Sequence, residues 1–201
     1  MTFIETLKNR RSIYALGKNI DGEKAIAAIK EATRLSPTAF NSQSGRILVV
    51  TEDAQDKLWN SIVAGDLEAT MKEQGATEEA IANTKEKLAG FGKAYGTVLI
   101  YEDQDTIKDL QEKFDFYAEN FPVWSEQGTG IVTMNIWGAL TEEGIGANLQ
   151  HYNPVIDADV AKAFDIPANW KLRGQLVFGS IEAPAADKEF ISDDVRFKVA
   201  K

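Results

Sequence analysis

The eleven residues Ser36-Pro37-Thr38-Ala39-Phe40-Asn41-Ser42-Gln43-Ser44-Gly45-Arg46 separate a helical pattern from the apolar run Ile47-Leu48-Val49-Val50. A helix-to-strand connection ordinarily takes about 2–6 residues. Any fold this chain adopts must therefore carry a long loop, rich in amides and hydroxyls, between two core elements. Ser, Pro, Asn and Gly mark turns wherever they cluster. The same groups also offer a surface of donors and acceptors that can hold a ligand. Both readings stand on these residues alone.

Periodicity around that loop predicts the rest. Phe3, Ile4 and Leu7 recur at helical spacing, giving a short amphipathic helix over 2–9 that runs into Asn9-Arg10-Arg11-Ser12. Cations are favoured at a helix C-terminus, so this basic pair has an ordinary reading beside that of an anion site. Asp21 caps a helix from Gly22 to about Leu35, which Pro37 stops, and a strand follows over Arg46–Thr51. A helical pattern from Asp53 to Leu67 turns Leu58, Ile62 and Val63 inward, whereas Glu68–Leu88 is charged and weakly periodic and reads as an exposed excursion. Thr97–Tyr101 is an apolar strand. Ile107, Leu110, Phe114, Tyr117 and Phe121 form one helical stripe ended by Pro122, and another helix spans Glu126–Glu143. Gly144–Pro154 reads as a brief strand and loop before a helix capped by Asp157, and Leu172–Gly179 as a buried strand. Val195–Val199 alternates strictly, a strand pattern that puts Arg196 and Lys198 on one face. Such a mixture, with no regular alternation of helix and strand, predicts an α+β fold.

Composition narrows function by exclusion. The 201 residues suit one domain. With no cysteine and one histidine, His151, there is no disulfide, no thiolate or multi-histidine metal site and no cysteine nucleophile. The single ring has no Gly-x-Ser-x-Gly elbow to serve, and Gly90-Phe91-Gly92 precedes a strand instead of joining strand to helix, which argues against a dinucleotide fold. A formal charge of −9 argues against nucleic acid, and no run approaches the ~20 apolar residues of a membrane span. No basic, apolar start of the secretory kind is present, so a cytoplasmic protein is expected.

Three features keep a fixed order: Arg10-Arg11-Ser12 after the first helix, Phe40-Asn41-Ser42-Gln43 before the first strand, and Gly144-Ile145-Gly146 through Tyr152 after the long helix. This order resembles the nitroreductase family of FMN-dependent enzymes, and most closely its short branch typified by the fungal fatty-acid-repression-mutant protein. The resemblance covers essentially the whole chain. It implies one nitroreductase-like FMN-binding domain over 1–201, with a central, mostly antiparallel sheet flanked by helices, in an intertwined homodimer whose flavins lie between subunits. It also implies tightly bound, non-covalent FMN, NAD(P)H as electron donor, and nitroaromatics, quinones or similar acceptors reduced by two-electron ping-pong transfer, in a stress-response setting. By the same resemblance Arg10, Arg11, Ser12, Arg196 and Lys198 meet the phosphate, and Asn41 and Gln43 meet the ring or ribityl chain. The backbone of Gln150, His151 and Tyr152 approaches the ring edge. Tyr14 stands where many relatives carry a base near the ring, and Ser44-Gly45 where many carry Pro-Trp. No side chain is expected to act as a catalytic acid or base, and no metal is expected. Two rivals are a flavin-storage or redox-sensing protein with little turnover, and an α+β protein whose Arg10, Arg11, Arg196 and Lys198 only complete surface salt bridges.

Overall fold

The computed structural model describes all 201 residues. Helix α1 spans Phe3–Asn9, closed at its start by a Thr2–Glu5 capping box, and α2 spans Gly22–Leu35, with Asp21 accepting from the Lys24 amide. Strands β1 (Leu16–Gly17), β2 (Gly45–Thr51), β3 (Gly96–Asp103), β4 (Gly146–Gln150) and β5 (Trp170–Ile181) form one sheet. β5 lies at its centre: it pairs antiparallel with β3 along one edge and with β4 and then β1 along the other, while β2 adds outside β3. The only parallel pairing is a bridge between Ser12 and Ala147.

Successive β3 side chains enter opposite cores, as the two-residue period of a strand requires. Val98 and Ile100 pack with Leu176 and Phe178 against α2 and the long helix α7 (Phe121–Glu142), through Ile29, Val132, Ile136 and Leu140. Leu99 and Tyr101 pack on the far side against Leu58, Trp59, Val63, Leu88 and Phe91. β3 is buried along its whole length, and its centre, Val98–Tyr101, reads as a continuous apolar run.

Five elements depart from expectation. The helix after β2 comprises α3 (Glu52–Asp56), a π-helical stretch over Lys57–Val63 and α4 (Ala64–Glu73). The wider π turn brings Trp59 fully into the core beside Leu58 and Val63, where its indole N–H donates to Thr97 Oγ1 at 2.8 Å. The charged segment expected to be an excursion instead supplies α5 (Glu78–Gly92), which buries Ile81, Leu88 and Phe91. The aromatic stripe is broken. α6 (Gln104–Lys113) stops at Phe114, a 3₁₀ turn follows over Asp115–Tyr117, and Pro122 sits in the first turn of α7 instead of ending a helix, because a missing N–H costs nothing there. Finally, Val195–Val199 is not a strand. Ser192 caps a four-residue turn, α9 (Asp193–Arg196), and no strand lies alongside to accept a ladder. Asp157 likewise falls in the first turn of α8 (Asp157–Ala163) and not at its cap, which is Ile156.

Candidate active site

One short strand brings two of the three sequence motifs together. After α1 the chain Arg10–Tyr14 is strapped to β4: the Ile13 amide donates to the Ala147 carbonyl at 2.9 Å, and the Asn148 side chain donates to the Ile13 carbonyl at 2.8 Å. β4 then runs directly into His151 and Tyr152. Asn148 is fully buried and positions both segments, a role that no sequence motif marks. Its signal is only that of a polar residue in a short, glycine-led apolar strand.

The first segment walls a cavity of about 480 Å³, with Arg10, Arg11, Ser12 and Tyr14 on one side and Ala183–Lys188 on the other. Arg10, Arg11 and Lys188 thus bring three cations to one cavity, and none makes an ion pair within 4 Å. Arg11 Nη2 donates to the Ala186 carbonyl at 2.5 Å, and the Arg10 guanidinium lies over the Trp137 ring, 4.4 Å from its centroid. Burial, and then the adjacent Arg11 charge, pull the Arg10 pKa below its ordinary value. That is the state of a cation lacking a counter-charge. Guanidinium forks, an ammonium and a hydroxyl are the donor set that a phosphate dianion takes.

Lys188 was not among the expected residues. It follows Pro184 and Asp187 in a segment without periodicity, so nothing separates it by sequence from other surface lysines. Arg196, at the end of α9, and Lys198, just beyond it, are exposed and do not line this cavity. Neither they nor Arg10 and Arg11 form a salt bridge, which removes the reading of these four as surface ion pairs.

A second cavity, about 400 Å³, lies between α7 and the ends of β4 and β5; its walls include Glu126, Met134, Trp137, Leu149, His151 and Arg173. Trp137 lines it, while Arg10, stacked on the same ring, lines the first, so the stacked pair stands between the two. The Trp137 indole N–H is buried and has no partner. His151 is exposed. The Gln150 side-chain Nε2 donates to Asn148 Oδ1 at 2.7 Å, and the Tyr152 backbone N–H donates to Oε1 of the buried Gln175 at 2.9 Å. Tyr152 therefore has its amide committed within the chain. Its ring meets Trp59 edge-on at 5.8 Å, and burial, then Tyr14, raise its phenol pKa.

The Ser36–Arg46 loop lies elsewhere. Phe40, Asn41 and Gln43 all take positive φ, at 55°, 50° and 49°, a region non-glycine residues seldom enter. The conformation is held from several sides. The Gln43 amide donates to Thr38 Oγ1 at 3.0 Å, Arg46 Nη1 donates to the Gln43 carbonyl at 2.7 Å, and the buried Ser44 hydroxyl meets that of Ser125 at 3.1 Å. The Phe40 ring packs 5.1 Å from Phe114, 5.2 Å from Phe121 and nearly parallel to Trp124 at 5.9 Å. So fixed, the loop leaves Asn41 and Gln43 exposed beside α7, and within one chain neither lines the Arg10 or the His151 cavity.

The chain's likeness to known proteins agrees with this geometry. The model of the Nitroreductase family matches residues 7–180. Two Saccharomyces cerevisiae proteins are similar along nearly their whole length: HBN1 is 33% identical over 198 residues, 96% of this chain and 95% of that one, and the nitroreductase FRM2 is 29% identical over 197, 95% and 94%. The nitroreductase CinD from Lactococcus lactis, solved in complex with 4-nitrophenol and with chloramphenicol, is 60% identical over the full length of both chains, with TM-scores of 0.91 and 0.92. Sequence and three-dimensional likeness thus coincide from one end to the other: the chain belongs to the nitroreductase family, in the short branch of FRM2, and is an oxidoreductase.

Proposed function

We propose that residues 1–201 form one FMN-binding domain that reduces nitroaromatics, quinones or related acceptors with electrons from NAD(P)H. One observation carries this reading: Arg10, Arg11 and Lys188 share a cavity and none is ion-paired, in a chain with 31 acidic against 22 basic residues. Cations left unpaired amid so much carboxylate suit an anion from outside, and the Arg-Arg-Ser motif suits the phosphate of FMN. Bound FMN would supply the redox chemistry, accepting two electrons from NAD(P)H and giving them to the acceptor.

The protein's part is to bind and orient. Arg10, Arg11, Ser12 and Lys188 would hold the phosphate, with Arg10 kept in place by the Trp137 ring face. Through Asn148, β4 sets Tyr14 and the Gln150–Tyr152 segment at a fixed distance from that motif. Donor and acceptor using one pocket in turn would give ping-pong kinetics. CinD, with its bound 4-nitrophenol and chloramphenicol, supports nitroaromatics as acceptors.

The same proposal includes a homodimer. Phe3 and Ile4 on α1, Leu35 at the end of α2 and Val123 on α7 are exposed, as are Phe190, Ile191, Val195, Phe197 and Val199. An arm this apolar suits packing on a second copy. Such packing would deliver Arg196 and Lys198, and would bring Asn41 and Gln43, to a flavin shared between subunits. No helix is long and apolar enough to cross a membrane, and the proposal places the protein in the cytoplasm. The test is direct: FMN is added to the purified protein, NADH or NADPH is added without oxygen, and then 4-nitrophenol or a quinone. Bleaching of the flavin's visible band and its return are expected. A protein that stays colourless and fails to take up FMN refutes the reading.

A further inference from the structure

Strand β5 carries one residue more than its neighbour can pair. Ile100 faces Gly174 and Tyr101 faces Leu172, so Arg173 has no partner across the ladder. A bulge of this kind re-aims a side chain out of the regular alternation, and bulges recur beside active sites. Here it puts Arg173 in the wall of the 400 Å³ cavity that also holds His151, Met134 and Trp137.

From there Arg173 reaches α7. Its Nε donates to Glu126 Oε2 at 3.0 Å and its Nη2 pairs with Glu126 Oε1. This fork-to-fork contact uses one edge of the guanidinium. A guanidinium has five N–H donors, and no acceptor meets Arg173 Nη1. A tie between β5 and α7 would not by itself need the residue to be bulged into a cavity, nor an open edge there. The side chain is 27% exposed, enough to be reached and too little to sweep freely. The walls beside it are an indole and a thioether, surfaces against which a flat ring packs well.

We propose that Arg173 is a specificity residue that selects aromatic acceptors bearing a carboxylate, with Glu126 as the positioning residue that aims its free edge. The proposal rests on the reading of this site as one where FMN-dependent reduction of aromatic acceptors takes place. Glu126 does two opposed things: it fixes the guanidinium plane, and its own charge weakens the attraction for an arriving anion. Lys would replace Arg173 only in part, since an ammonium keeps the charge but has no planar fork to divide between two carboxylates.

The experiment measures binding of benzoate and of benzamide, equal in shape and not reducible, by calorimetry on FMN-loaded protein and on the FMN-free chain. The wild type should prefer benzoate. Arg173→Ala should lower benzoate affinity roughly ten-fold, the loss of a charge-assisted hydrogen bond, with benzamide changed by less than about two-fold. Arg173→Lys should fall between, and it serves if the alanine variant folds poorly. Glu126→Gln, which keeps a neutral hydrogen bond, should tighten benzoate several-fold. The ratio of kcat/KM for 4-nitrobenzoate over 4-nitrobenzamide should fall with Arg173→Ala in parallel. An unchanged benzoate-to-benzamide ratio in Arg173→Ala overturns the proposal. So does a shift in flavin midpoint potential without loss of selectivity, which would assign Arg173 to the cofactor. Failure to bind FMN would instead refute the proposed flavin dependence, and the FMN-free titrations would still judge Arg173.

Discussion

Lys188→Ala gives the sharpest test of the proposed phosphate site, because the residue is exposed, makes no ion pair and supports no core contact. Its one aromatic neighbour is Phe190, with Nζ 5.2 Å from the ring centroid, and Phe190 is itself exposed. Truncation should therefore move the unfolding of the FMN-free protein by no more than about 0.5 kcal/mol, the usual range for such a surface change. Binding should respond differently. A hydrogen bond to a charged group contributes about 1.5–3 kcal/mol, roughly ten- to a hundred-fold in affinity. Lys188 lies at an accessible wall where salt screens it, so the lower end, about ten-fold, is expected. Riboflavin, which lacks the phosphate, is the control and should bind both proteins equally. The assay is quenching of flavin fluorescence on titration into FMN-free protein, at about 0.1 M and about 1 M salt, between which the screening length falls from about 10 Å to about 3 Å. The gap between wild type and variant should shrink at the higher salt. Equal loss for riboflavin and FMN would refute the reasoning, since Lys188 would then be shaping the cavity and not meeting a phosphate; so would no loss for either.

Trp137→Leu removes the shelf under Arg10 and should weaken FMN by about five- to thirty-fold, as a partly desolvated cation–π contact of about 1–2 kcal/mol implies, whereas Trp137→Phe should recover most of it; the FMN-to-riboflavin affinity ratio reads this out. Asp66 is pushed up to about 6 by burial and then by the Asp159 carboxylate beside it. A raised carboxyl contributes stability that is full below its ordinary value near 3.8 and is lost as pH rises through about 6. Asp66→Asn should thus raise the Tm at pH 7–8, by about 1 kcal/mol of stability once screening at this accessible group is allowed for, and change little at pH 4. At Asp103 burial alone would raise the pKa, but the Thr106 hydrogen bond and the Arg46 charge outweigh it and hold the carboxyl below its ordinary value. Its contribution is present above that value and lost as pH falls through the lowered one. Because Asp103 also accepts from the Asp105 amide at 3.1 Å and from Asn169 at 2.8 Å, Asp103→Ala should cost about 2–3 kcal/mol in urea melts at pH 7.

Where local chemistry decides structure, the elements were legible. Asp21 before Gly22 and Pro37 after Leu35 bound α2 as read, and β2, β3 and β5 follow from their apolar runs. The misread elements are those settled by packing. The π stretch Lys57–Val63 changes the residues facing the core, so a 3.6-residue count finds Leu58 and Val63 and misses Trp59. The Phe114–Phe121 aromatics do share a cluster, but around the Phe40 ring and not along one helix. Spacing reported their common destination and not their backbone. Val195–Val199 shows the converse: alternation marks a strand only if another strand lies beside it, and here Ser192 and two aspartates start a helical turn instead.

The candidate site divides along the same line. Arg10-Arg11-Ser12 could be found because a motif keeps its residues adjacent in sequence, and the fold then brings it to Gln150–Tyr152 through the Ile13–Ala147 and Asn148–Ile13 bonds. Lys188 and Arg173 come from separate segments, and their place in the candidate site is set by which wall they reach. For Lys188 that wall is made by the turn after β5, and for Arg173 by a single unpaired residue in β5. Neither placement leaves a trace in composition or period. Asn41 and Gln43 present the remaining case, because the strain at Phe40, Asn41 and Gln43 is held by Thr38, Arg46 and Ser125 yet exposes both amides to no partner in the same chain. Left-handed backbone at three non-glycine residues costs of order 1–3 kcal/mol each. A loop that merely connected α2 to β2 would gain nothing from keeping that strain, whereas in the proposed homodimer the same conformation would present its amides to the partner's flavin.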